Sequence, residues 1–137
     1  MYKKINVILS NKAEEIQPPD KLDKNKKNLI VFDDVVNEKN QYIMEMYFTR
    51  GRHNKCSVIY LSQNYFGLPV QSIRDNSNIL ILFKLKRKSD INNIYHQMLS
   101  SFNDKDEFFY LYNFHMKEKF NYLFINLDEE LILPSAF

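Results

Sequence analysis

The sequence predicts an α/β fold, a mostly parallel sheet flanked by helices, and three observations predict it. Short continuous apolar runs, rather than alternating ones, recur after residue 28, the habit of strands covered on both faces. Segments without Gly or Pro, with apolar residues at helical spacing, separate those runs. Hydrophobic residues make up 45% of the 137, with eleven Phe and nine Tyr, enough to fill the core of one domain.

Taken in chain order, Ile5, Val7, Ile8 and Leu9 predict an N-terminal strand within Met1–Leu9. Residues 10–28 hold Pro18-Pro19 and a Lys/Asn-rich stretch, a surface connection whose ordering would bury little. The organisation is therefore a strand and polar linker over 1–28 and a main domain over 29–137. Leu29-Ile-Val-Phe32 is the first buried strand, closed by Asp33-Asp34. Glu38 to Arg50 reads as a helix with Gly51 as its stop. Cys56-Ser-Val-Ile-Tyr-Leu61 is the second strand, closed by Ser62-Gln63, and a short helix precedes the third, Ile79-Leu-Ile-Leu-Phe83. Ser89 to Ser100 carries Ile91, Ile94, Tyr95, Met98 and Leu99 on one helical face. Asp104 to about Lys117 reads as a further helix, and Tyr122-Leu-Phe-Ile125 as the fourth strand.

Composition excludes several functions. Gly51 and Gly67 are the only glycines, so neither a Gly-x-x-x-x-Gly-Lys-Ser/Thr loop nor a Gly-x-Gly-x-x-Gly turn can be built. Cys56 is the only cysteine, which excludes an intramolecular disulfide and a thiolate zinc site and suits a reducing compartment. A net charge of +2 does not by itself mark a nucleic-acid binder. No run approaches the ~20 apolar residues that span a bilayer, and the N-terminal apolar run is too short for a signal peptide. The expected setting is intracellular, in cytosol or nucleus.

Chemistry in open α/β sheets gathers beyond the carboxyl ends of strands. Asp33 and Asp34 are adjacent carboxylates at such an end, where one acid can hold a hard cation and the next polarise a water. A strand closing in a solvated turn has the same sequence, so both readings stand. Gln63 can donate to a phosphate oxygen while accepting from water, or cap the next turn. Arg50 and Arg52 offer planar forks for phosphate, or simply favour a helix C-terminus; Arg74 has the same two readings. His53 and Cys56 lack a third orienting group for nucleophilic catalysis, and His53, His96 and His115 show no metal-ligand spacing.

The ordered series Leu29-Ile-Val-Phe-Asp-Asp-Val35, Tyr47-Phe-Thr-Arg-Gly-Arg-His53, Ser57-Val-Ile-Tyr-Leu-Ser-Gln-Asn-Tyr-Phe66, Leu68-Pro69, Ile73-Arg74 and Asn76 resembles a known family. It is similar to the C-terminal part of the genome-packaging ATPases of large DNA viruses, virophages and Polinton/Maverick-type transposons, in the HerA–FtsK branch of P-loop ATPases. The resemblance covers Leu29 to Lys84 closely and Ser89 to Asp128 loosely, and Gly-Arg-His before a strand ending in Ser-Gln is its most specific piece. It implies that Asp33 is the Walker B acid for Mg²⁺, Asp34 the catalytic carboxylate and Gln63 the polar sensor. Arg50 and Arg52, with Arg74 a weaker candidate, would contact nucleotide held by a neighbouring subunit. ATP, double-stranded DNA, capsid proteins and copies of itself or full-length ATPase subunits would be the partners, with no membrane.

The family's P-loop lies N-terminal to the Walker B strand, where this chain has 28 residues and no glycine. Without it the β- and γ-phosphates lose their clamp, and the strand expected beside Leu29–Phe32 is missing from the sheet. Two functions follow. One is the Walker B and sensor half of a packaging ATPase, a fragment unable to hydrolyse ATP until another segment or chain supplies the P-loop. The other is a non-catalytic module that docks on an ATPase ring, or on DNA through Lys84, Lys86, Arg87 and Lys88.

Overall fold

The computed structural model describes residues 8–10, 12–35 and 41–135, and contacts divide the chain into two units, Met1–Asn76 and Ser77–Phe137. In the first, β1 (Asn28–Asp33), α1 (Tyr42–Arg50) and β2 (Cys56–Leu61) form a β-α-β arrangement. The strands pair in parallel from Asn28 opposite Cys56 to Asp33 opposite Leu61. Side chains alternate across the strands, so Ile30, Phe32, Cys56, Val58 and Tyr60 pack with Ile43, Met44 and Tyr47 of α1. The Phe32 and Tyr47 rings meet edge to face at 5.8 Å.

Leu29 (62% exposed), Val31, Ile59 and Leu61 (48%) line the other face of the pair. Their continuous runs encode burial on two sides, and among the described residues only α1's side is covered. The expected strand at Met1–Leu9 falls mainly in Met1–Val7, outside the described residues, as do residues 38–40, the start of the helix expected over Glu38–Arg50.

Gly51 does not stop α1 through a left-handed backbone. Its φ is −56°, the chain runs on in a tight turn Gly51–Asn54, and the left-handed residue is Lys55 at φ 52°. The polar segment is exposed at most positions, yet it docks. Pro19 is fully buried, Ile16 and Leu22 pack on the core, and Tyr47 Oη donates to the Gln17 carbonyl at 2.8 Å. Polar sequence gave no sign of these few apolar anchors. After β2, a single wide turn at Val70–Arg74 stands where a short helix is expected, and Ser72 Oγ donates to Glu45 of α1 at 2.8 Å.

The second unit holds β3 (Ile79–Phe83), α2 (Lys88–Ile94), α3 (Lys105–His115), β4 (Tyr122–Asn126) and β5 (Leu131–Pro134). α2 opens one residue before the expected Ser89 and widens into a π turn over Tyr95–Leu99. The Asp104 carboxylate caps α3 by accepting from the N–H groups of Asp106 and Glu107. The α/β class stands, with one difference. β3, β4 and β5 form an antiparallel sheet in that order, whereas their continuous apolar runs predict parallel strands. Such runs report burial and carry no information about direction; the two helices between β3 and β4 return the chain so that β4 runs back along β3. β5 has no counterpart in the sequence reading, because it is four residues long and ends in Pro134, a residue tolerated only at a sheet's edge. Leu82, Ile91, Ile94, Tyr95, Leu99, Phe108, Tyr112, Leu123 and Ile125 are buried, while Ile79, Ile81, Phe83, Leu131 and Leu133 are exposed.

Candidate active site

The carboxyl ends of β1 and β2 place the sequence-predicted acids and amide together. Asp33 ends β1 opposite Leu61 and is exposed. One residue on, the Asp34 N–H donates to the Leu61 carbonyl at 2.9 Å, extending the parallel ladder. Asp34 has φ 51°, a left-handed backbone that Asp tolerates better than most residues. Its Oδ2 accepts from Gln63 Nε2 at 3.4 Å, a long contact between residues 29 apart in sequence.

Gln63 is held between two turn-forming neighbours. Ser62 Oγ donates to the Asn64 carbonyl and accepts from the Asn64 N–H, both at 3.0 Å. Asn64 caps the following turn by accepting from the Gly67 N–H at 3.3 Å. Of the two readings of Gln63, turn capping thus belongs to Asn64, and Gln63 turns toward the acid. Tyr60 was legible in the sequence only as an apolar strand residue. Its hydroxyl is buried and has no hydrogen bond among the described residues, and its pKa is raised, first by burial and then by the charge of Asp34.

Arg50 and Arg52 are not brought to this end. α1 runs back from the carboxyl end of β1 to the amino end of β2, so both lie roughly 20 Å away, the length of a six-residue strand. Arg50 Nη1 is 3.8 Å from Asp20 Oδ2, and Arg52 is exposed. Arg74 is buried with its guanidinium 5.0 Å from the Tyr65 ring centroid; burial raises the Tyr65 pKa and Arg74 opposes it. In the second unit Lys84, Lys86, Arg87 and Lys88 are exposed just after β3, and Arg87 Nε lies 3.1 Å from Asp90.

Burial pushes the Cys56 thiol up, which keeps it protonated and unreactive. Among the described residues no three His, Cys, Asp or Glu side chains converge on a metal position. One or two carboxylates with open flanks nevertheless fit Mg²⁺, which keeps several waters and binds beside substrate phosphates. Asp33 and Asp34 are the carboxylates at this end that could hold such an ion, and the Gln63 amide lies against Asp34.

The family model described as Poxvirus A32 protein matches residues 2–128. Two solved structures share the fold: B204, the DNA-packaging ATPase from Sulfolobus Turreted Icosahedral Virus, and the genome packaging NTPase B204 from Sulfolobus turreted icosahedral virus 2 in complex with ATP-gammaS. Each has a TM-score of 0.61 at 11% identity, covering 80% of this chain and 52% of its own. The chain thus spans about half the length of these structures. No curated protein sequence matches it.

Proposed function

From the premise that the chain belongs to the poxvirus A32 protein family, we propose that it is the Walker B and sensor half of a viral DNA-packaging ATPase of the HerA–FtsK type. The observation that carries this reading is the pairing of Asp34 with Gln63 beside Asp33, beyond the carboxyl ends of two parallel strands. Asp33 would hold Mg²⁺, whose charge offsets that of the ATP phosphates. Asp34 accepts a hydrogen bond from a water and aims it, and Gln63, already donating to Asp34, reports on the phosphate that the water attacks. A structure of B204, which shares this fold, was solved in complex with ATP-gammaS, in keeping with nucleotide binding.

The phosphate clamp must come from another segment or chain. The uncovered face of Leu29, Val31, Ile59 and Leu61, beside a β1 that pairs with β2 alone among the described strands, supports a docked P-loop strand and helix. Arg50 and Arg52, far from their own Asp34, suit contact with nucleotide on a neighbouring subunit of a motor that acts on double-stranded DNA and a capsid. The setting is intracellular or virion-associated.

Calorimetric titration of the 137-residue chain with Mg-ATP should show no micromolar binding, and adding a P-loop-bearing segment should produce turnover that Asp34→Asn abolishes. Turnover indifferent to that substitution would refute the assignment. The exposed basic stretch Lys84–Lys88 favours a second reading, a module that binds DNA without ATP. It requires DNA affinity that falls steeply with salt, and no binding at low salt dismisses it.

A further inference from the structure

α3 presents an exposed stripe that its own fold does not use. Phe108 and Tyr112 point into the core. On the opposite side Asp106, Glu107, Tyr110, Asn113, Phe114 and Lys117 are all exposed and recur at the spacing of one helical face. Tyr110 is 73% exposed and stacks on Phe114, with ring centroids 6.3 Å apart and planes at 17°. Lys117 Nζ lies 5.4 Å from the Phe114 ring centroid. The ends of the stripe differ in net charge: Asp106 and Glu107 outnumber Lys105 at the amino end, rings lie in the middle, and Lys117 and Lys119 outnumber Glu118 at the carboxyl end.

Just beyond it, Phe120 is 80% exposed at φ 69°. A bulky residue is strained there where Gly would be at ease, and the Phe120 ring centroid lies 4.9 Å from Lys119 Nζ.

We propose that α3 pairs antiparallel with α3 of a second copy of this chain, Tyr110 and Phe114 packing across a twofold axis and Lys117 of each copy meeting Asp106 and Glu107 of the other. The charge order argues for this occupant. A twofold axis near Tyr112 sets each acidic end against a basic one, as a self-complementary contact requires, and it opposes the two helix dipoles. Nucleic acid would meet Asp106, Glu107 and Glu118 along with the lysines, so its phosphates gain little.

Sedimentation equilibrium of the full chain tests the pairing. A concentration-dependent dimer is expected. Phe114→Ala should weaken it about tenfold or more, as loss of a central aromatic anchor does. Lys117→Glu should weaken it several-fold, and combining that change with Asp106→Lys and Glu107→Lys should restore it. A chain monomeric at every attainable concentration overturns the proposal. So does a dimer unaffected by Phe114→Ala, which would place association on the exposed sheet faces, or a charge-reversed triple variant that stays as weak as Lys117→Glu.

Discussion

Tyr47→Phe removes one hydroxyl and leaves a ring of the same shape against Phe32. That hydroxyl's hydrogen bond to the Gln17 carbonyl, 2.8 Å long, spans 30 residues and ties the polar segment to α1. A net intramolecular hydrogen bond contributes about 1 kcal/mol, a factor of about five in the population of the detached segment. Trypsin should therefore nick Lys21 and Lys24, both exposed, about fivefold faster in the variant under conditions where reclosing outpaces cleavage. The same substitution has a pH signature. Burial, with a smaller effect of Cys56, holds the Tyr47 pKa up at about 12 against an ordinary 10.0. Below pH 10 both folded and unfolded chains keep this proton, and the contribution to stability is whole. As pH rises from 10 to 12 the unfolded chain ionises first, so stability drains away. Urea midpoints should then show wild type ahead of Tyr47→Phe at pH 7 and losing that lead above pH 10. Equal nicking rates at pH 7, or midpoint curves that stay parallel to pH 12, would refute the docking of this segment through Tyr47.

Three other outcomes can be checked on the chain by itself. Leu99, wholly buried, should cost about 2–5 kcal/mol on change to Ala, read as a lower urea midpoint at constant slope. Asp104→Ala removes the acceptor of two α3 amides and should cost about 1 kcal/mol, with faster hydrogen exchange confined to the first turn of α3. Asp34→Asn should lower the raised pKa of Tyr60, seen by ultraviolet titration of the phenol, and an unchanged titration would remove Asp34 from its neighbourhood.

Strand and helix positions were legible because apolar runs and helical spacing are local signals. Leu29–Phe32, Cys56–Leu61, Ile79–Phe83 and Tyr122–Ile125 all fall within strands. Direction was not legible, since the apolar run of Tyr122–Ile125 reads the same whether the strand runs up or down. The acids and Gln63 could be named from their place at strand ends, but their meeting depends on the register of Asp33 with Leu61, which no single segment encodes. Tyr60 escaped because a phenol in an apolar run looks like core, and its buried hydroxyl emerges only once Asp34 is placed nearby. The docking of residues 12–27 escaped for the opposite reason. Pro19, Ile16 and Leu22 are too sparse among Lys, Asp and Asn to register as a pattern.

The β-α-β arrangement also gives the molecule a direction. Its acids sit at one end of a parallel pair and Arg50 and Arg52 at the other, separated by the full run of the strands. If a working centre needs both, a lone copy can never close one, and each copy must lend its cations forward while borrowing from behind. Such a chain of loans has polarity, and the turn between successive copies alone decides whether it closes on itself or grows as a helix. Copy number would then be written in the slope of a single contact, and a change at Arg50 or Arg52 would silence the neighbour's centre while sparing the one on the same chain.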